Sequence, residues 1–465
     1  MSDQTATGPT GTQNGGESSP HLTRRGLLRA AGASAAVVGG GGLLDACSSG
    51  IKGASSSSTT GSSTKDITIA FIHPLTGDLA DFGTSDNWIL GEINATSQFK
   101  SGITTGGKTY HITINSYDTQ SDVTRAGQLA SQAILTDKVD MILTSSTPET
   151  VNPVATVAER LGTPTVCGNV PWQSWYANLG GNPTPGKSTF KPKWVTVYFL
   201  GVNDLCNAFI PMWNRIHSQL GTDKIVGCMF PNDSDGDAFR AAWPVFAKAA
   251  GYTLIDPPPY TDGLTNYTSF ISQFKAGNAD FFTNVPLPPD FNTMWKQAAQ
   301  QGYKPKLATV AKVLLFPGDV KALGNLVNNI ATDAWWAPGM PWKSSLTGQT
   351  CAQLASAYTS ATSQQWVQSL SNYSLFEVAY AAFKSVSDPH DKAEVANALF
   401  NVNIEGIAGQ LNWTSSKNPA PGVVDTPCLG VQWKPNSTYG WSMEVVDNTL
   451  MPEVALTATL EPTNK

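Results

Sequence analysis

The densest run of chemically capable side chains is Asp233-Ser234-Asp235-Gly236-Asp237, carboxylates on alternate residues that invite comparison with a calcium loop. An EF-hand loop needs its glycine in the sixth place, where the chain turns sharply around the ion. Here Gly236 stands fourth, so the spacing argues against calcium, and no metal site is expected. Other reactive arrangements are missing too: the chain has no G-x-S-x-G elbow, no H-E-x-x-H pair, no Walker A loop and no paired Cys/His set. With five histidines in all, His73, His111 and His217 read as strand, loop or helix positions. Beyond Cys47 come Cys167, Cys206, Cys228, Cys351 and Cys428, an odd number without C-x-x-C spacing, so neither zinc nor a redox pair is implied. An enzyme is not expected, nor is a cofactor, which leaves ligand recognition.

The elements that would position a binding site alternate in type. Ile67-Thr68-Ile69-Ala70-Phe71-Ile72 is an apolar, β-branched run bounded by His73-Pro74 and Thr76-Gly77, and it reads as a buried parallel strand. Strands follow at Tyr110 to Tyr117, Met141-Ile142-Leu143 and from Pro164-Thr165-Val166, with helices near Val123 to Thr136 and Val151 to Leu161. After Trp194 to Leu200 the alternation restarts. Helices are expected at Leu205 to Leu220, Ala238 to Ala250, Tyr267 to Ala276 and Phe291 to Gln301; strands at Ile225 to Phe230, Tyr252 to Ile255, Phe281 to Thr283 and Leu307 to Val310. The last part is helical around Cys351 to Trp366 and Leu375 to Val386 and ends in hairpin-like pieces, Ile407 to Trp413 and Leu429 to Trp433. Two successive wheels of β-α units imply an α/β protein with two doubly wound parallel-sheet lobes and ligand loops at the strands' carboxyl ends.

Composition agrees with a large globular protein: 465 residues, 41% hydrophobic and 14% charged, with room for two lobes. The formal net charge of -6 supplies no basic face for phosphate neutralisation, so nucleic acid is not an expected partner. The first 64 residues read as address and tether. Thr23-Arg24-Arg25-Gly26-Leu27-Leu28-Arg29 is a twin-arginine export pattern, and Ala30 to Leu44 is a short, glycine-diluted apolar core, too weak to span a membrane. Leu44-Asp45-Ala46-Cys47 resembles a bacterial lipobox, so residues 1–46 are expected to be a signal peptide and Cys47 the lipidated residue that anchors the chain to a membrane. The alternative is an exported soluble protein with an incidental Cys47. The Ser-rich run in 47–65 has almost nothing to bury and reads as a spacer.

At the first strand a family resemblance becomes specific. Ile69-Ala70-Phe71-Ile72-His73-Pro74-Leu75-Thr76-Gly77-Asp78-Leu79-Ala80-Asp81-Phe82-Gly83 is similar to the opening of type I periplasmic binding proteins, the leucine/isoleucine/valine-binding group of ABC importers. Matches continue in order with Gly91-Glu92-Ile93-Asn94-Ala95, Tyr117-Asp118-Thr119-Gln120-Ser121-Asp122, Asp137 to Ile142, Asp235-Gly236 and Lys296 to Gly302. The likeness covers about Ile67 to Ile330 and runs more faintly to the end. It implies two lobes joined by a hinge, with lobe 1 from 66–198 plus about 336–427 and lobe 2 from 199–335 plus about 428–465. It also implies a monomer that captures a small-molecule ligand, an amino acid, aromatic acid or amide-like solute, and delivers it to ABC permease subunits. A sensory receptor of the same fold is the alternative.

The same resemblance selects the expected site. Ser146 and Thr147 lie in the hydroxyl run Thr144 to Thr150 at a helix start, where free N–H groups and the helix dipole suit an anionic ligand group; plain N-capping is the competing role. Asn169 and Trp172 belong to the next loop, where the family's hydroxyl position is occupied by Pro171. Phe82 falls where the family places an aromatic residue over the ligand, although such residues equally serve packing. Asp235 aligns with the loop that closes on the ligand from the second lobe. The family's acidic partner for an α-ammonium would fall near Ala311-Lys312, which holds no acid; Lys312 there favours an anionic cargo, with a solvated surface lysine as the alternative and Glu149 as a candidate for the missing negative charge.

Overall fold

The structure, a computed structural model, describes residues 65–184 and 186–463. The twin-arginine pattern, Cys47 and the spacer up to Thr64 lie outside the described residues. Two sheets carry the fold. In the first, Val423–Val424, Val195–Tyr198, Thr165–Gly168, Met141–Ser145, Ile67–His73 and Ile112–Asp118 lie side by side in that order, all parallel. In the second the order is Gly440–Asp447, Leu429–Asn436, Ala331–Ala334, Leu307–Val310, Phe281–Asn284, Ile225–Met229 and Thr253–Ile255; only Leu429–Asn436 runs antiparallel to the rest. In chain order each sheet begins 2-1-3-4-5, the doubly wound arrangement whose crevice opens at the carboxyl edge between its first and third strands.

The central strands are wholly buried, including Met141–Ser145, Val195–Tyr198, Phe281–Asn284 and Leu307–Val310. Helices cover both faces of such strands, so they read as apolar runs without alternation. Helix starts differ from the periodicity reading for a local reason. Pro148 and Pro288 occupy the first turns of Pro148–Leu161 and Pro288–Gln300, where a missing N–H costs nothing, so both helices begin three residues before their first regularly spaced apolar residue. The expected strand Tyr110 to Tyr117 is broken at His111: Lys108–Tyr110 pairs back on Ile103–Thr105, and only Ile112–Asp118 joins the sheet. Ile407 to Trp413 contains a turn, with Asn403–Gly406 and Gly409–Asn412 forming the hairpin around it.

The chain passes from one sheet to the other after Tyr198, returns after Ala334, and crosses again between Val424 and Leu429. All five described cysteines are buried and free. Among the described residues no helix is long and apolar enough to cross a membrane.

Candidate functional site

Strand ends of both sheets meet around one cavity. Phe82 follows the strand Ile67–His73, Thr147 and Pro148 follow Met141–Ser145, Asn169 and Pro171 follow Thr165–Gly168, and Phe199 and Leu200 follow Val195–Tyr198. From the second sheet come Asp235, Val285, Ala311 and Lys312, each just past a strand, and Asp333 and Trp335 at the end of Ala331–Ala334. The cavity measures about 40 Å³, space for a few waters at most and not for a metabolite, so the two sides must part to admit one.

Of the residues expected from sequence, Phe82, Thr147, Asn169, Asp235 and Lys312 are brought together on this wall. Two are not. Ser146 is buried with its hydroxyl unpartnered behind the wall, and Trp172 packs among the apolar side chains behind the first sheet while its neighbour Pro171 faces the cavity. The helix Trp172–Asn178 begins at Trp172 itself and carries the indole into the core, while Pro171 is the residue before it. Thr147 does occupy the N-cap position of Pro148–Leu161, yet its side chain makes no capping bond. The expected anion site at this helix start is also altered. Pro148 has no N–H to offer, and the Glu149 carboxylate beside it carries negative charge to the same helix start.

Lys312 is neither a surface lysine nor a free cation. Its Nζ lies 2.7 Å from Glu149 Oε1, 2.9 Å from Asp235 Oδ2 and 3.4 Å from Asp233 Oδ2, and its side chain is 4% exposed. Glu149 belongs to the first sheet's side and the other three to the second, so one bond of the cluster spans the cleft. Burial alone would lower the lysine's pKa, but Asp235, Glu149 and Asp233 outweigh it and hold it well above the ordinary value. Burial raises Glu149, and Lys312 overcomes this to leave it below the usual glutamate range. Asp235 is pushed up to about 7, by burial first and then by Glu149 and Asp233 against Lys312. Lys312 has φ 67 and Leu314 φ 55, left-handed conformations that cost a non-glycine residue about 1 kcal/mol or more.

The acidic run Asp233 to Asp237 is a helix start. Asp233 Oδ1 accepts the N–H of Gly236 at 2.7 Å, capping Ser234–Ala249, while its other oxygen faces Lys312. A Cβ on Gly236 would stand 2.0 Å from the carbonyl oxygen of Pro231, so close backbone approach explains the glycine. Among the described residues no group of ligating side chains could hold a metal ion.

Behind the wall runs a polar network that the sequence reading missed. Asn169, at φ 53, donates from Nδ2 to Asn372 Oδ1 at 2.9 Å, and Ser145 Oγ donates to the same oxygen at 2.7 Å. Asn372 Nδ2 donates to Asp86 Oδ1 at 2.8 Å; Asp86 Oδ2 lies 2.7 Å from His73 Nδ1, and His73 Nε2 lies 2.8 Å from Ser116 Oγ. Trp335 Nε1 donates to Ser371 Oγ at 3.1 Å, which fixes the indole from the first sheet's side. Asn372, Ser371, Phe199, Asp333 and Trp335 were not singled out because they lie at crossovers far apart in sequence. The one local signal was the polar run Ser369-Leu370-Ser371-Asn372 ahead of an apolar helix.

Asp333, pushed up to about 7 by burial, adds a second acid to the cavity wall; its own backbone N–H and the Thr332 hydroxyl oppose the shift. Asp235 and Asp333 thus favour their protonated forms once folded. Raised acids contribute stability that is full below the ordinary aspartate value and lost as pH rises through about 7. Glu149, with a lowered pKa, acts oppositely, but only below the usual glutamate range. The thermal midpoint is therefore expected to fall by several degrees between about pH 5 and about pH 8. A scanning calorimetry series checks this; a midpoint that rises across that interval refutes the assignment of buried, raised acids.

A sequence model described as periplasmic binding protein matches residues 66–437. Among solved structures, a leucine binding protein, LivK, from Thermotoga maritima superposes with a TM-score of 0.64 at 16% identity, covering 82% of this chain and 99% of the other. A type 1 periplasmic binding protein from Bordetella pertussis gives a TM-score of 0.64 at 17% identity, with 82% and 100% covered. The branched-chain amino acid binding protein LivJ from Streptococcus pneumoniae, solved with isoleucine, gives 0.60 at 16%, with 82% and 99% covered. These likenesses establish the type I periplasmic binding protein fold.

Proposed function

The chain belongs to the periplasmic binding protein family, and from that premise we propose that it is the solute-capturing component of an ABC importer, working outside the cytoplasm. The two sheets with their helices act as lobes, 66–198 with about 336–427 and 199–335 with about 428–465, that open about the three crossovers. They close on a small solute, and the closed form docks on the permease. Twin-arginine export, lipidation at Cys47 and the Ser-rich spacer would hold the monomer beside its permease.

The observation that carries this reading is the Lys312–Glu149 bond, which joins the two sides directly across a cavity bounded by the crossovers. Such a pair stabilises closure without being part of either lobe's own fold, so bound solute shifts an equilibrium that already exists. No catalytic set is part of the proposal. To test it, the full chain carrying Cys47→Ser is titrated with branched amino acids, aromatic acids and short amides while tryptophan fluorescence and solution scattering are recorded. Saturable signals with compaction are expected; a broad metabolite panel that leaves both unchanged would sink the proposal.

A further inference from the structure

We propose that the cavity takes a solute with a cationic nitrogen on an apolar body, the cation facing Asp333 and Asp235 and the body facing Phe82, Phe199 and Trp335. This deepens the solute-capture reading and rests on it. The charge inventory comes first. Two carboxylates and one ammonium line the cavity, and no arginine, histidine or second lysine joins them. Lys312 is committed to Glu149, Asp235 and Asp233, a surplus of acids over the single base. Asp235 is 1% exposed and its Oδ1 has no partner, and Glu149 Oε2 is likewise buried and unpartnered. Asp333, the other acid on the wall, is buried with no cation beside it among the described residues; a buried carboxylate without a counter-ion is costly, so a further cation would complete this site.

The walls suit that cation. Asp333 and Trp335 are two residues apart at the end of one strand and project to the same side. Phe199 meets the Trp335 ring edge-on at 5.3 Å, and Phe82 lies parallel to it at 6.4 Å. Aromatic faces beside a carboxylate attract alkylated or primary ammonium groups, and tryptophan does so best. A carboxylate on the solute would find one unpartnered side-chain donor on the wall, the Thr147 hydroxyl, against two acids. The helix start that could have bound it has Pro148, which lacks an N–H, in its first turn and the Glu149 carboxylate beside it. A simple amine therefore fits better than an anion or a zwitterion.

The test is calorimetric titration of the full chain carrying Cys47→Ser with isoamylamine, isovalerate and isovaleramide, which share one branched skeleton and differ in charge. The amine is expected to bind at least about tenfold more tightly than either other compound. Asp333→Asn, whose unfolding midpoint should not drop, is expected to remove most of that preference. Equal affinities, tighter isovalerate, no amine binding at millimolar concentration, or an unchanged preference in Asp333→Asn each overturn the inference. Saturable binding of some other metabolite alongside any of these results would leave solute capture standing, because that reading is measured by the broad panel.

Discussion

Replacing Lys312 by methionine is expected to destabilise the protein by about 3 to 5 kcal/mol at about pH 8. The side chain is almost wholly buried, and its ammonium is the common partner of Glu149, Asp233 and Asp235. Removing it leaves those acids facing one another in a low-dielectric pocket, where repulsion adds to desolvation. Direction with pH separates this mechanism from lost packing. At about pH 5 Asp235, with its pKa near 7, takes up a proton, one uncompensated charge disappears, and the deficit should shrink. Urea unfolding of both proteins at the two pH values measures it; a deficit of the same size at both would show that the methylene stem, not the charge, matters. Glu149→Gln should cost less, because Asp235 and Asp233 still pair with Lys312, and its main effect should be a shift toward the open form in scattering.

Asn372→Ala should cost about 3 to 5 kcal/mol by a different route. The Asn372 amide accepts from Ser145 and Asn169 and donates to Asp86, and all four side chains are buried. Its loss orphans three groups at once, each worth about 1 to 3 kcal/mol when left unpaired, with Asp86 at the high end because its orphaned oxygen belongs to a buried acid. Because Asn169 stands on the cavity wall in a left-handed conformation, freeing its side chain should also weaken solute binding. Equilibrium denaturation gives the first quantity and titration with the tightest compound of the panel the second. A loss under about 1 kcal/mol would mean that water replaces the amide and that the network does not hold Asn169.

Much of the fold was legible because it rests on local chemistry. Apolar runs such as Ile67 to Ile72 and Phe281 to Thr283 announce strands buried on both faces, and the alternation with helices allows few topologies other than doubly wound sheets. The site was legible only where a residue's place depends on its own loop. Phe82, Thr147, Asn169 and Asp235 come from the segments that follow strand ends, and they line the cavity. Trp172 does not, because it opens the helix Trp172–Asn178, which turns its side chain into the core.

By itself, then, the sequence determined the layered α/β architecture, the strand-end loops that meet, and the absence of familiar catalytic motifs. The charge character of the cleft was decided by tertiary structure. Lys312 reads as an invitation to an anion until Glu149, from a helix start 163 positions earlier, and Asp233 and Asp235 close around it. Coulomb energy depends on distance in space and on burial, neither of which a linear order of residues contains. The same holds for Asp333 and Trp335, which become part of a binding wall only because the chain crosses between sheets beside them.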